Sequence, residues 1–428
     1  MTFATPYPGH DTIFTWAAPA LKIGLGAIDE TGFELARLGA GRVLLITDKA
    51  LGRAGWPGRV AESAAANGVD CVIYDGVHIE PTDASILDAA EFARTGPWDA
   101  FVAVGGGSVI DTAKAVNLLS TNPGELTDYL NRPVGRALAP ERPLKPLVAI
   151  PTTAGTGSEC TALSVLDVLD LQVKTGISHP ALRPVLAIID PQVTLSMPAP
   201  VTAACGMDVL CHAVESLTAR PYTAGPRKNP EERVVYCGAN PISDIWTEQA
   251  IVALSRSLRS AVRSGDDLAV RTDVMLAATY AGMGFGNAGV HIPHANAYPI
   301  AGRVRDYHPD GYAGDEPLVP HGQAVSLTAP AAFRFTYVAA PERHVRAAQL
   351  LDPGVAAVED AEKLPRALTR LMRDIGIPNG IEAVGFTGSD VDGLVDGSLK
   401  QQRLLAQAPR QPTAADLADI FRGSVSNW

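Results

Sequence analysis

The chain has 428 residues, of which 46% are hydrophobic and 19% charged, a composition typical of a globular protein with a sizeable core. This length is enough for two or three domains. The net charge of −11 argues against non-specific binding to nucleic acid, which needs a basic surface. No long uninterrupted apolar run occurs, so we expect no membrane-spanning helix. Small molecules are the expected partners, and an anionic substrate would need a local basic site.

The cysteines and the first residues bear on the cellular compartment. Five cysteines are scattered along the chain without a CxxC pair, which indicates neither a disulfide framework nor a thiolate zinc site. The first basic residue is Lys22, so we expect no signal peptide. A reducing compartment fits these features. We expect a cytoplasmic protein that forms a homodimer or a higher homo-oligomer.

The first half of the chain alternates between strand-like and helix-like segments. Apolar runs predict strands at 22–26, 42–46, 71–74, 100–104, 147–150 and 186–189. Runs such as RVLLI are typical of strands buried on both faces, and we interpret 71–74 in the same way. Helical patterns lie between them at 60–67, 85–95 and 109–119. This alternation predicts a doubly wound, Rossmann-like α/β sheet.

From Pro198 onward the segments are longer and have a helical period. Helices are predicted at 243–264, 266–283, 339–350, 361–374 and 413–424. We therefore predict an α/β domain at residues 1–200 and an all-α domain at residues 201–428.

The stretch VAVGGGSVIDTAKA places Gly106, Gly107 and Ser108 between a predicted strand and a predicted helix. Glycine lets backbone amides approach a phosphate, and a helix N-terminus favours negative charge. A tight strand–helix turn without a ligand is the alternative. Asp111 follows in the first turn of the helix, where it is either favoured by the helix dipole or in contact with the ligand.

Two further loops after predicted strands suit a dinucleotide. Asp48 follows the strand at 42–46, where a carboxylate can bind ribose hydroxyls and repel a 2′-phosphate, which favours NAD over NADP. A helix N-cap is the alternative for Asp48. The loop PTTAGTGSE offers hydroxyls of Thr152, Thr153 and Ser158 to phosphate, ribose or nicotinamide, unless it is merely a polar loop.

Residues 205–218 read CGMDVLCHAVESLT, with Asp208 and His212 four residues apart and so on one face of a helix. Such a pair can bind a divalent cation, although a surface contact or a hydrogen bond within the helix is the commoner outcome. His294 and His321, from a later histidine cluster, could complete a site of three imidazoles and one carboxylate. That ligand set suits Fe(II) or Zn(II).

Taken together, the motifs resemble those of the iron-containing (group III) alcohol dehydrogenases. GGGSVIDTAKA, PTTAGTGSE, the Asp-x-x-x-His helix and the PHG turn occur in that family's order, and the resemblance spans nearly the whole chain. It implies the dehydroquinate synthase-like fold, NAD as cofactor, and Fe(II), alternatively Zn(II), as metal. It implies metal ligation by Asp208, His212, His294 and His321. By position it also implies NAD contacts from Asp48, Gly106, Gly107, Ser108, Asp111, Thr152, Thr153, Ser158 and Lys174.

Two features depart from the family pattern. The family has a further histidine four residues after the third ligand, and this chain has Tyr298 there, so Tyr298 or His291 is the candidate proton relay. The interval between the last two ligands is long and carries Arg303 and Arg305. A guanidinium in this interval could pair with a substrate carboxylate, and an exposed loop without that role is the alternative.

Within the family, the chain is most similar to the enzymes that transfer hydride between a hydroxyacid and an oxoacid. This likeness implies 4-hydroxybutyrate and 2-oxoglutarate as substrates, and succinate semialdehyde and 2-hydroxyglutarate as products. A conventional NAD-dependent alcohol dehydrogenase or aldehyde reductase is the first alternative. A non-redox metal lyase of the dehydroquinate synthase type and a binding protein without activity are the others.

Overall fold

The computed structural model describes residues 9–171, 173–312 and 316–428, which divide into two compact units. One unit is Ala18–Ser196, and the other combines residues 9–17 with Met197–Trp428. This division lies close to the predicted one at residue 200. The difference is that residues 9–17 join the later unit, where the Ala17 N–H donates to Asn287 Oδ1 (3.0 Å).

The first unit is built on a parallel sheet. The strands of this unit are β1 (Ala20–Ile23), β2 (Arg42–Ile46), β3 (Asp70–Tyr74), β4 (Ala100–Gly105), β5 (Leu147–Pro151), β6 (Leu163–Val168), β7 (Val173–Ser178) and β8 (Leu186–Ile189). Strands β6 and β7 pair with each other, and the other six form the parallel sheet. The sheet order is β1-β8-β5-β4-β2-β3, with every neighbouring pair parallel. The α-helices are α1 (Thr31–Arg37), α2 (Lys49–Ala54), α3 (Trp56–Ala66), α4 (Asp83–Arg94), α5 (Gly107–Thr121) and α6 (Leu126–Tyr129). The predicted Rossmann-like α/β fold is confirmed.

The central strands are apolar because the sheet is covered on both faces. Along β2, Leu44 and Ile46 belong to one hydrophobic cluster, whereas Val43 and Leu45 belong to the other. Successive side chains of a strand point to opposite faces, so a strand between two cores has no polar face. These two cores hold the carboxyl ends of the strands in place.

Two details of the first unit differ from expectation. The predicted buried strand at 71–74 is the edge strand β3, and its Ile73 side chain is 41% exposed. An apolar run alone does not distinguish a central strand from an edge strand. The sequence analysis also missed the antiparallel hairpin of β6 and β7, in which Asp167 lies opposite Lys174.

The second unit is helical, which confirms the predicted fold class. Its α-helices are α7 (Ala199–Thr218), α8 (Pro241–Arg263), α9 (Leu268–Ala288), α10 (Ile292–Gly302), α11 (His321–Thr336), α12 (Pro341–Leu351), α13 (Asp360–Asp374), α14 (Val391–Leu399), α15 (Gln402–Leu405) and α16 (Ala414–Arg422). Helices α7, α8 and α9 pack on one another. Among the residues described, no helix has both the length and the apolar character needed to cross a membrane.

Candidate functional site

The ends of three neighbouring strands bring the predicted nucleotide-binding residues to one edge of the sheet. Asp48 follows β2, Gly106 follows β4, and Thr152 follows β5. The chain leaves β2 for β3 on one side and returns to β4 on the other. The strand order therefore reverses between β2 and β4, which is where dinucleotides bind in sheets of this kind.

The glycine turn fits closely against the loop that follows β5. Gly106 is the N-cap of α5, and the Thr152 N–H donates to the Gly105 carbonyl (3.1 Å). A Cβ on Gly107 would lie 2.5 Å from Thr156 Cγ2, and one on Gly106 would lie 3.1 Å from Thr153 Oγ1. A side chain would clash at Gly107 and be crowded at Gly106, so the start of α5 presents backbone, as a phosphate site requires.

Asp48 and Ser108 have hydrogen bonds within the protein at this edge. The Leu51 N–H donates to Asp48 Oδ1 (2.9 Å), so Asp48 is the N-cap of α2. Ser108 Oγ accepts from the Glu80 N–H (3.2 Å). The N-cap interpretation of Asp48 is therefore correct for the protein alone, and a contact from its half-buried carboxylate to a ribose remains a prediction.

Lys114 is a residue that the sequence analysis missed. Its side chain is fully buried, and its Nζ lies within hydrogen-bonding distance of four oxygens: the Ser158 carbonyl (2.7 Å), Ser158 Oγ (2.7 Å), Thr161 Oγ1 (3.0 Å) and the Leu163 carbonyl (2.7 Å). Burial lowers the pKa of Lys114. A lysine between two alanines on a predicted buried helix was the available signal. Lys114 ties α5 to the loop after β5.

Asp111 and Ser158 take part in the same network. Ser158 Oγ donates to Asp111 Oδ1 (2.5 Å), and the Val165 N–H donates to Asp111 Oδ2 (2.9 Å). Both predicted cofactor contacts are thus used to connect α5 to the segment after β5. Their geometry favours support of the loops over direct contact with a ligand.

Lys174 lies on β7 between two carboxylates. Its Nζ is 2.7 Å from Glu80 Oε2 and 2.7 Å from Asp167 Oδ2, and its side chain is buried. Burial disfavours the charged amine, but the carboxylates of Glu80 and Asp167 outweigh it and raise the pKa of Lys174. Its charge is therefore balanced inside the protein, and its predicted contact with the nucleotide stays a prediction.

In the helical unit, three predicted metal ligands from three helices meet. His294 Nε2 lies 3.5 Å and His321 Nε2 3.9 Å from Asp208 Oδ1, and one ligand atom from each of the three residues lies within 4.8 Å of the others. These separations are long for hydrogen bonds but close to the ~3.4 Å between ligand atoms of a tetrahedral metal with bonds of ~2.1 Å. Asp208 Oδ1 and His294 Nε2 are buried without a hydrogen-bond partner, which is costly unless a cation binds there. The residues present therefore fit a divalent metal.

The fourth predicted ligand, His212, borders this group. Its Nδ1 lies 3.8 Å from Asp208 Oδ1 and is buried without a partner. Its ring stacks on Phe285 (centroids 3.8 Å apart) and on His294 (4.5 Å). Burial lowers the pKa of His212 to about 3, which keeps its ring neutral and able to bind a metal.

His321 reaches Asp208 because a glycine follows it. A Cβ on Gly322 would lie 1.9 Å from the Ala204 carbonyl oxygen and 3.0 Å from Asp208 Cβ. Only glycine allows the first turn of α11 to approach α7 this closely. The PHG sequence thus supplies both a candidate metal ligand, His321, and the glycine that allows the two helices to approach.

Glu215 is the second residue that the sequence analysis missed. It is fully buried on α7, with Oε2 2.9 Å from His294 Nδ1 and accepting the His291 N–H (2.7 Å). It follows Asp208 by seven residues, so it lies on the same helical face as Asp208 and His212. That spacing was the available signal.

The two candidate proton relays have different surroundings. His291 is fully buried, its Nε2 lies 3.1 Å from Thr218 Oγ1, and burial lowers its pKa to about 4. Tyr298 lies one turn after His294, and its ring centroid is 6.4 Å from that of His321. Tyr298 is therefore the better placed of the two beside the metal ligands.

Arg305, predicted to bind a substrate carboxylate, already has partners within the protein. Its Nη2 lies 2.9 Å from Asp390 Oδ2 and 3.0 Å from the Gly385 carbonyl, so its charge is already paired on the surface. Arg303 is exposed, and its guanidinium lies beside α14, 2.6 Å from where a Cβ of Gly393 would be. Part of the same interval, residues 313–315, lies outside the described residues.

Known enzymes and a solved structure are similar to this chain. The chain is 45% identical over 421 residues to "Hydroxyacid-oxoacid transhydrogenase, mitochondrial" from Xenopus laevis, covering 97% of this chain and 91% of the relative. It is also 45% identical to the protein of that name from Rattus norvegicus, covering 97% and 90%. Among solved structures it is similar to a 1,3-propanediol oxidoreductase, with a TM-score of 0.84, 32% identity, and coverage of 96% of this chain and 100% of that one.

These names overturn the expected cytoplasmic location, because both curated relatives are mitochondrial proteins. The sequence argument considered only a secretory signal and the redox state of the compartment. A reducing environment is not specific to the cytosol, so the redox state could not distinguish the cytosol from the mitochondrion.

Family models match both halves of the chain. The model "Iron-containing alcohol dehydrogenase" matches residues 18–191, and the model "Fe-containing alcohol dehydrogenase family, C-terminal" matches residues 231–425. The two matched ranges fall in the α/β unit and the helical unit respectively. Together with the 45% identity over 97% of its length, they establish that this chain belongs to the iron-containing alcohol dehydrogenase family.

Proposed function

We propose that the protein is a metal- and NAD-dependent hydroxyacid–oxoacid transhydrogenase that uses 4-hydroxybutyrate as donor and 2-oxoglutarate as acceptor. The observation that carries the proposal is the convergence of Asp208, His294 and His321 around one unpartnered buried oxygen. The identity to enzymes named for this reaction supports the choice of substrates.

In this proposal, Asp208, His212, His294 and His321 hold the cation. When bound, Fe(II), or alternatively Zn(II), would supply Lewis acidity toward an alcohol or carbonyl oxygen, and NAD would supply a hydride acceptor. The surrounding burial excludes water and strengthens the interaction of these ligands with a charged group.

The edge of the sheet would bind NAD in this proposal. Backbone N–H groups at the start of α5, after Gly106, would bind the pyrophosphate, and the hydroxyls of Thr152 and Thr153 lie on the adjacent loop. The Asp48 carboxylate would accept hydrogen bonds from the ribose and disfavour a 2′-phosphate.

Two residues have proposed roles toward the substrate. Tyr298, beside His321, would hold or pass the proton of the hydroxyl group through its phenol oxygen. Arg303, an exposed residue of the long interval, would pair with the substrate carboxylate. We further propose that the protein forms a homodimer or a higher homo-oligomer.

An isotope-transfer experiment tests the reaction. The purified protein with stoichiometric NAD is given 4-hydroxybutyrate deuterated at C4 together with 2-oxoglutarate, and mass spectrometry follows deuterium into C2 of 2-hydroxyglutarate. An NADH-consuming enzyme is added to remove any NADH that leaves the protein. Transfer that persists with this trap supports the transhydrogenase, whereas transfer that stops indicates an NADH-releasing dehydrogenase. Absence of both transfer and NADH would refute an oxidoreductase that acts on these substrates.

A conventional alcohol dehydrogenase is the second candidate, and the Arg305–Asp390 pair favours it. That pair removes one of the two guanidinium groups expected to bind a carboxylate. Comparing kcat/KM for 1-butanol and 4-hydroxybutyrate tests the substrate part of the proposal, because a carboxylate-binding site makes the hydroxyacid the better substrate.

A further inference from the structure

We infer that Glu215 is a positioning residue that directs His294 Nε2 toward the metal; this inference rests on the proposed metal site. Glu215 has no exposed surface, and it accepts hydrogen bonds from two groups of the α10 region. An unpaired carboxylate at such a position would be strongly destabilising, so its two partners explain how it can be buried.

The first partner sets the tautomer of His294. Its Nδ1 lies 3.0 Å from Glu215 Oε1 and 2.9 Å from Oε2. A carboxylate can only accept, so Nδ1 carries a proton, and in the neutral ring that binds a metal the lone pair is then on Nε2. That nitrogen is the atom 3.5 Å from Asp208 Oδ1. Glu215 thereby leaves a metal-binding lone pair where the other ligands converge.

The second partner sets the start of the helix that carries His294. The His291 N–H donates to Glu215 Oε2 (2.7 Å), and His291 is the N-cap of α10. The N-terminus of a helix favours a nearby negative charge. One carboxylate thus holds both the helix start and, three residues later, the ring of a ligand.

Metal affinity of variants tests this role. Metal-free protein is titrated with Zn(II) in competition with a chromophoric chelator, and Co(II) absorption reports the ligand geometry. Glu215→Gln keeps the size of the side chain but replaces one acceptor by a donor, which opposes either Nδ1–H or the His291 N–H. We expect Glu215→Gln to bind Zn(II) about 10- to 100-fold more weakly and to change the Co(II) spectrum.

Glu215→Asp distinguishes the effect of the carboxylate on the orientation of His294 from the effect of side-chain volume on packing. It keeps the carboxylate but shortens the side chain, so we expect it to bind Zn(II) more tightly than Glu215→Gln. The reverse order would show that only volume matters and would overturn the inference. Ser216→Ala is the matched control, since Ser216 is the next residue of α7 and is fully buried; we expect it to keep the unmutated affinity.

Two further measurements distinguish a failure of this inference from misfolding and from a failure of the proposed metal site. Thermal unfolding of each metal-free variant identifies a loss of affinity that comes only from misfolding, and Glu215→Asp then provides the comparison in a folded protein. If Asp208→Asn and His294→Ala leave Zn(II) affinity unchanged, the proposed metal site fails. If those two variants lose Zn(II) while Glu215→Gln retains it, the metal site stands and only the role of Glu215 fails.

Discussion

The proposed nucleotide-binding edge of the sheet and the proposed metal site satisfy their polar groups in opposite ways. At the sheet edge, Asp111 and Ser158 are bonded to each other and to the buried Lys114, so the loops are held by the protein itself. In the helical unit, Asp208 Oδ1 and His294 Nε2 are buried without partners. The first region is therefore formed before any ligand binds, whereas the second has polar atoms that only a cation would satisfy.

Removing a metal ligand should have the largest effect. We expect His294→Ala to lower both metal content and turnover by more than about 100-fold, because loss of a group that merely orients a ligand already costs about 10- to 100-fold. Metal analysis of the purified protein and steady-state kinetics are the measurements. His78→Ala, at an exposed histidine of the other unit, is the control. Full metal occupancy in His294→Ala would exclude the proposed ligand set.

Removing Lys114 should show that the nucleotide edge depends on internal bonds. Lys114→Met leaves the Ser158 and Leu163 carbonyls without their donor, so we expect the free energy of unfolding to fall by about 3 kcal/mol and NAD to bind more weakly. Denaturant unfolding and NAD titration are the measurements. The exposed Lys145 lies in the same unit, and Lys145→Met should change neither. Unchanged stability of Lys114→Met would show that this network does not hold the loops.

Substituting Asp48 separates its two roles at the edge. Asp48→Ser can still cap α2 but removes the negative charge, so we expect the preference for NAD over NADP to fall by about 5- to 150-fold, as loss of about 1–3 kcal/mol of repulsion implies. Dissociation constants for both dinucleotides are the measurement. Asp48→Ala loses the cap as well and should also destabilise the protein. Equal affinity of the unmutated protein for NAD and NADP would contradict the proposed role.

Arg305 should give the smallest effect. Its side chain is 55% exposed and paired with Asp390, and surface pairs of this kind contribute about 1 kcal/mol or less. We expect Arg305→Ala to change kcat/KM for 4-hydroxybutyrate by less than about threefold, whereas Arg303→Ala should lower it and leave 1-butanol unaffected. Loss of the hydroxyacid preference in Arg305→Ala alone would reinstate that residue as the carboxylate-binding group.

Features that depend on neighbours along the chain could be predicted from the amino-acid sequence. The spacing of Asp208 and His212 predicts one helical face, and the three glycines from Gly105 predict a strand–turn–helix. Strands β2 and β8 match their predicted limits because continuous apolar runs are long enough to identify buried strands.

Which distant groups meet depends on how the helices and strands pack. The approach of α11 to α7 at Gly322 brings His321 to Asp208. Glu215 and Lys114 are buried, so their side chains bond to other parts of the protein instead of lying on the surface. Arg305 lies in the expected interval, yet it pairs with Asp390 far along the chain. Such contacts depend on close packing between elements, and a residue's partner across that packing leaves no periodic signal in one sequence.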